Sequence, residues 1–147
     1  MNESPNSRDI EIAAAMRTVI HRLVKLMRKE TRNEALLSLT ERSTMGSLYQ
    51  NQQLPPSELA QLEKVTAQSM SQIVNHLFEL NYIHKAASGE DKRKVLLSLT
   101  PEGKAYVETN RQLKIEWLAR ELQEKTTPEE KELLMKAMQV MTKLVDQ

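Results

Sequence analysis

The polar residues between Gln68 and His76 carry side chains suited to reading the edges of nucleic-acid bases. Six of them share one side of a predicted helix: Gln68, Ser69, Ser71, Gln72, Asn75 and His76. No carboxylate occurs between Glu63 and Glu79, whereas exposed helices usually mix Glu and Lys. Amide and hydroxyl groups can pair with base edges in the major groove, where acids would face phosphates. This pattern predicts a DNA-recognition helix; the alternative is an ordinary polar surface helix.

A basic cluster follows at the turn of a predicted hairpin. Lys92, Arg93 and Lys94 come directly after Asp91, between strands that we predict over residues 82–86 and 94–99. A hairpin that follows a groove helix is placed to reach the adjacent minor groove, whose negative potential attracts Arg. By itself the cluster is typical of a solvated surface. Combined with the acid-free helix, it favours a DNA-contacting hairpin, or wing.

The elements that position these residues are mostly helices. We predict helices over about 8–29, 40–52 and 66–80, a short helix that carries Leu59, and two long helices after Thr100 and Thr127. Thr40, Thr66, Thr100 and Thr127 are the expected N-caps, and Glu130 completes a capping box. Residues 51–56 are read as a connector. The predicted fold class is mainly α with a small β-hairpin wing.

The first and last helices carry broad apolar stripes. Residues on the first helix are spaced 4, 3, 4 and 3 apart, as in a coiled-coil seam: Ile12, Met16, Val19, Leu23 and Leu26. Leu134, Met138, Met141 and Val145 form a similar stripe near the C-terminus. We predict one domain over 1–147, with a DNA-binding lobe at 33–100 and a helical dimerisation lobe at 8–32 and 101–147. The alternative is that the stripes pack only within one chain.

Composition excludes several classes of site. The chain has 147 residues, a net charge of +1 and no Cys, so disulfides and thiolate zinc sites are excluded. Charge does not indicate a nucleic-acid binder, because residues 55–100 carry five basic and five acidic side chains. No nucleophile–base pair, phosphate loop or paired carboxylates indicate an enzyme, and we expect neither a cofactor nor a metal. No apolar run or signal peptide points to a membrane, so a cytoplasmic location is expected.

Several motifs resemble the multiple-antibiotic-resistance regulator (MarR) family of winged helix-turn-helix regulators. They are the segment from Tyr82 to Lys85, the Asp91-x-Arg93 pair, and the Leu-Thr-x-x-Gly pattern that ends at Gly103. Ser57 to Ala60 and Leu39-Thr40 match earlier helices of that family. The resemblance implies that Arg93 enters the minor groove, that Asp91 holds it, and that Gln68, Ser69, Ser71 and Gln72 face the major groove.

Three residues depart from the family pattern. Lys85 and His76 stand where Arg is common, which weakens the expectation of a bidentate or phosphate contact at these positions. Asn81 replaces the usual Gly at a helix end. We still include Lys85 with Asp91, Lys92, Arg93 and Lys94 in the predicted wing contacts.

The resemblance also implies a small aromatic or anionic effector. Arg17, His21 and Tyr49 are the candidate ligands; the alternative is a surface Arg, a packed His and a core Tyr. The sequence favours a homodimeric regulator, a repressor that binds a palindromic operator on double-stranded DNA and responds to an effector or acts constitutively. The second hypothesis is a winged-helix protein-interaction module that does not bind DNA, which the neutral charge of the motif supports.

Overall fold

The computed structural model describes residues 4–31, 37–89 and 94–146. The chain forms two compact units, one of residues 33–112 and one of residues 1–32 and 113–147. Helices predominate, and the strands form one small antiparallel sheet, so the predicted fold class is confirmed. The elements are α1 (Ser7–Glu30), α2 (Leu39–Asn51), β1 (Gln53–Leu54), α3 (Pro56–Leu62), α4 (Ala67–Glu79), β2 (Ile83–Ala87), β3 (Val95–Leu99), α5 (Pro101–Lys125) and α6 (Pro128–Val145).

Side-chain caps begin most of the helices. Thr66 caps α4 and Thr127 caps α6 in a capping box with Glu130, as predicted. The prediction of Thr40 as the cap of α2 was wrong. Ser38 is the cap, and it forms a capping box with Glu41. Thr40 lies inside the first turn, where its carbonyl accepts a hydrogen bond from a later hydroxyl.

The sheet has three strands in the order β1-β3-β2. β2 and β3 form the predicted hairpin, with Ile83 opposite Leu99 and Ala87 opposite Val95. β1 was not predicted: Gln53 and Leu54 pair with Ser98 and Leu97 on the other side of β3. The hairpin is therefore anchored to the segment that links α2 to α3.

The apolar core lies in the unit of residues 33–112. Its fully buried large hydrophobic side chains come from three helices and two strands: Met45, Leu48, Leu59, Met70, Leu77, Ile83 and Leu97. Because α3 and α4 both contribute to this core, their orientation is fixed by packing against α2 and the sheet.

The start of α5 is joined closely to the end of α4. Asn81 adopts a left-handed conformation (φ 61°), which ends α4 as predicted. The Thr100 hydroxyl donates to the Asn81 carbonyl at 2.6 Å and accepts the Gly103 N–H at 3.0 Å. The Thr100 N–H donates to the Tyr82 carbonyl at 3.0 Å. These bonds account for Thr in the Leu-Thr-x-x-Gly pattern, whereas Gly is explained by the Tyr82 carbonyl oxygen, which a Cβ at position 103 would overlap.

The unit of residues 1–32 and 113–147 has a different surface. None of its residues that the structure describes is buried. Large apolar side chains on α1 and α6 are instead exposed: Ile10, Ile12, Val19, Ile20, Leu23, Leu26, Leu133, Leu134, Met135, Met138, Val140, Leu144 and Val145. In the described parts of the chain, no helix combines the length and apolarity that crossing a membrane requires.

Candidate nucleic-acid interface

The helix-turn-helix consists of α3, a four-residue turn and α4. Lys64 in the turn has φ 53°, and the Val65 N–H donates to the Ala60 carbonyl at 3.0 Å. Thr66 then accepts the Ser69 N–H at 3.1 Å, which satisfies a free donor in the first turn of α4. Local hydrogen bonds thus set the angle at which α4 leaves α3.

Helix α4 has one buried face and one exposed polar face. Met70, Val74 and Leu77 pack into the core. On the other side, the structure exposes four of the predicted recognition residues: Gln68, Ser71, Gln72 and Asn75. Ser69 is half-buried, and its hydroxyl accepts a hydrogen bond from Thr66 at 3.0 Å. The structure therefore presents the amide and hydroxyl groups together on one helical surface.

His76 is held by a carboxylate from α2. Its Nδ1 donates to Glu41 Oε1 at 2.5 Å, while Glu41 Oε2 accepts the Ser38 N–H at 2.7 Å. Burial by itself raises the pKa of Glu41, but the hydrogen bonds from His76 and Ser38 outweigh it, and the net pKa lies below the usual 4.5. Sequence reasoning missed Glu41. The Ser38-x-x-Glu41 spacing was the signal for its capping role.

Lys85 of β2 also contacts α4. Its ammonium donates to Asn75 Oδ1 at 3.2 Å and lies 4.4 Å from the centroid of the Phe78 ring. Phe78 is half exposed, and sequence reasoning gave it no role. Strand β2 and helix α4 thus place Lys85, Asn75 and Phe78 in one surface cluster.

The structure describes the hairpin on both sides of its turn, up to Gly89 and again from Lys94. The Ser88 N–H donates to the Lys94 carbonyl at 2.8 Å, and Lys94 is exposed. The predicted tip residues Asp91, Lys92 and Arg93 lie outside the described residues. Their DNA contacts stay predictions.

The three predicted effector residues fall in both units. Arg17 and His21 are exposed on α1, and Tyr49 lies on α2. The Tyr49 hydroxyl donates to Glu108 at 3.0 Å, and the Arg111 guanidinium lies 4.3 Å from the centroid of its ring. The hydrogen bond to Glu108 raises the pKa of Tyr49. Tyr49 and Glu108 line an open cavity of about 480 Å³ together with Lys104.

No cluster of three or more side chains that could hold a metal occurs in the ranges 4–31, 37–89 and 94–146.

Comparisons with known proteins agree with this geometry. The family model of the transcriptional regulator SarA/Rot matches residues 26–109, which is more than half of the chain and includes the helix-turn-helix and hairpin. An uncharacterized HTH-type transcriptional regulator of Mycobacterium bovis is 27% identical over 139 residues, covering 95% of this chain and 96% of that protein.

Solved structures show the same fold. A crystal structure of a Pseudomonas aeruginosa protein assigned to transcriptional regulation has a TM-score of 0.84 at 24% identity, covering 97% of this chain and 99% of that one. A MarR mutant from E. coli in complex with operator DNA has a TM-score of 0.58 at 19% identity, covering 95% and 99%. The family model shows that this chain belongs to the SarA/Rot family of transcriptional regulators, and the solved structures show the winged-helix fold that the resemblance to MarR regulators implied.

Proposed function

We propose that this regulator is a homodimeric repressor that binds a palindromic site on duplex DNA, with α4 of each subunit in the major groove. The observation that carries the proposal is the exposed face of α4, where Gln68, Ser71, Gln72 and Asn75 project away from the core. These side chains can donate to and accept from base edges, and none of them is an acid.

The backbone contacts of the proposal come from basic groups beside α4. Lys94 is exposed where β3 begins, and the sequence places Lys92 and Arg93 next to it. A cation at this place gains from the phosphates and from the negative potential of a narrow minor groove. The near-neutral charge of the motif therefore matters less than the position of its few cations.

The homodimer is supported by the exposed apolar faces of α1 and α6. A helical unit whose described residues include no buried side chain lacks the packing that normally stabilises helices. Each large apolar side chain gains about 1.5–3 kcal/mol when it is fully buried. A second copy of the chain carries the same apolar stripes. The dimer would then have two helix-turn-helix motifs, which match the two half-sites of a palindrome.

The DNA interface is tested by fluorescence anisotropy with the duplex upstream of the protein's own gene. Gln72→Glu keeps the shape of the side chain but places a negative charge on the exposed face of α4, and we expect it to weaken binding about tenfold or more. Gln139→Glu on α6 makes the same chemical change far along the sequence, and it should bind like the wild type. Equal affinities of the two variants would contradict the proposed interface.

The same assay separates the proposal from a protein-interaction module. A wild-type protein that binds duplex DNA at low salt no better than a neutral globular protein would favour the interaction module.

The dimer is tested by sedimentation equilibrium. Leu133→Glu combined with Val140→Glu charges one exposed stripe of α6, since these residues are seven apart and 67% and 60% exposed. We expect monomers at concentrations where the wild type and Gln139→Glu are dimers. A dimer that survives the double substitution would contradict the role of α6.

Release by a small molecule is the last part of the proposal, with Arg17, His21 and Tyr49 as its predicted residues. A phenolic ligand suits Tyr49, because a hydroxyl group can donate to the Glu108 carboxylate beside it. Isothermal titration with a small phenol should show weaker binding to Tyr49→Phe than to the wild type. Equal binding would remove Tyr49 from the effector site.

A further inference from the structure

Lys85 lies beside the exposed polar face of α4, but its ammonium contacts side chains of that helix. The ammonium donates to Asn75 Oδ1 at 3.2 Å and lies 4.4 Å from the centre of the Phe78 ring. Asn75 and Phe78 are three residues apart on α4 and so share one side of the helix. A hydrogen bond and a cation–π contact therefore hold the Lys85 ammonium against α4.

This contact fixes the orientation of the Asn75 amide. A Lys ammonium has three donors and no acceptor, so the amide atom that faces it must be the oxygen. The Asn75 Nδ2 group consequently points away from Lys85. An Asn amide without such a partner uses both atoms to read adenine, because Oδ1 accepts from adenine N6 and Nδ2 donates to N7.

The charge of Lys85 also acts on any base brought close to Asn75. The adenine N6 amino group presents a partial positive charge, which an ammonium at Asn75 Oδ1 would repel. Guanine presents two acceptors, O6 and N7, at the same edge. The Nδ2 group of Asn75 and the ammonium of Lys85 both offer donors to these acceptors, while the ammonium beside Asn75 Oδ1 disfavours the adenine amino group at the remaining lone pair of that oxygen.

We infer that Lys85 is a specificity-determining residue that turns Asn75 from a reader of adenine into a reader of guanine. The inference rests on the proposed function, because it requires α4 to lie in the major groove. Lys85 then affects which base is preferred, whereas a lysine that binds phosphate affects affinity without selecting a base.

The test compares the base preferences of full-length variants. Binding sites are selected from a random duplex library for the wild type, Asn75→Ala, Lys85→Met and Lys94→Met, and each base pair is then varied in turn. Lys85→Met keeps an apolar stem over Phe78 and removes the charge. Lys94→Met removes the same charge just before β3, on the other side of the hairpin, and serves as the matched control.

The wild type should prefer guanine over adenine by roughly tenfold at the position whose preference Asn75→Ala abolishes. Lys85→Met should lose that preference or change it to adenine, whereas Lys94→Met should weaken all sites uniformly. A uniform loss of affinity in Lys85→Met, with the guanine preference kept, would overturn the inference. So would a wild-type preference for adenine there, or an Asn75→Ala variant with unchanged preferences.

A second measurement needs no DNA. The side-chain amide resonances of Asn75 should shift in Lys85→Met and not in Lys94→Met, and unchanged resonances in Lys85→Met would overturn the inference. If the wild type bound no duplex at all, the proposed function would fail, and the resonances would still report whether Lys85 holds Asn75.

Discussion

Replacing Gly103 by Ala should destabilise the protein, although Ala is the better helix former. Gly103 lies buried in the first turn of α5. A Cβ added there would overlap the carbonyl oxygen of Tyr82 and lie 3.0 Å from its carbonyl carbon and 3.3 Å from Leu99 Cδ2. The obstacle is backbone, which cannot rotate away as a side chain can. The same carbonyl accepts the Thr100 N–H at 3.0 Å, so moving it also disturbs a hydrogen bond.

The magnitude follows from three contributions to the free energy of unfolding. Overpacking costs about 1–3 kcal/mol, and a disturbed hydrogen bond costs about 1 kcal/mol. Replacing Gly by Ala inside a helix returns about 0.5–1 kcal/mol. We therefore expect Gly103→Ala to lower the free energy of unfolding by about 1–3 kcal/mol.

Urea unfolding followed by far-UV circular dichroism measures this difference, and Gly46 provides a matched control. Gly46 lies within α2, and beyond its chain neighbours and the backbone of its own helix, a Cβ added there would meet no atom within 4 Å. Gly46→Ala should raise the free energy of unfolding by about 0.5–1 kcal/mol. If Gly103→Ala were as stable as the wild type, or gained as much as Gly46→Ala, the close approach of α5 to Tyr82 would be refuted.

Three further predictions concern the DNA-binding unit. Arg93→Ala should weaken operator binding by about 1–3 kcal/mol in anisotropy titrations without changing the sedimentation of the protein; unchanged binding would remove Arg93 from the wing contacts. The lowered pKa of Glu41 means that its charged form stabilises the fold above the usual 4.5, and that this stability is lost as the pH falls through the lowered value. The urea midpoint of the wild type should therefore fall more steeply than that of Glu41→Gln below pH 4.5, and parallel curves would contradict this. Gln52 has φ 65° and ψ −52°, so Gln52→Gly should gain about 1 kcal/mol of unfolding free energy, and a loss of stability would show that Gln52 is unstrained.

Local signals in the sequence predicted most of the elements. Thr66 and Thr127 each accept a hydrogen bond from the backbone N–H three residues later. The few residues around each cap are therefore enough to predict it. The left-handed Asn81 and the alternation of Leu97 and Leu99 are also local. Such features depend on residues that are close in sequence, and they form wherever the helix or hairpin forms.

The missed features depend on distant partners. β1 has only two residues, too few for a period of two, and it exists because β3 offers free hydrogen-bonding groups some 45 residues later. The contact between His76 and Glu41 joins residues 35 apart. The sequence between Glu63 and Glu79 contains no acid, but spacing along the chain could not show that α2 supplies one to His76.

The residues of the proposed interface on α4 could be predicted from the sequence, but their contacts could not. The polar face of α4 follows from helical periodicity, since the buried residues Met70, Val74 and Leu77 are spaced four and three apart. The position of Lys85 against Asn75 depends on how β2 packs beside α4, which periodicity does not specify. Residue types were therefore predictable, whereas the partners of each side chain were not.

The central claim is that the exposed face of α4 reads the sequence of duplex DNA. The most direct test is the ratio of two affinities of the wild-type protein, one for the duplex upstream of its own gene and one for a scrambled duplex of equal length and composition, at physiological salt. The account predicts a ratio of about 10³ or more. Equal affinities for the two duplexes would contradict it.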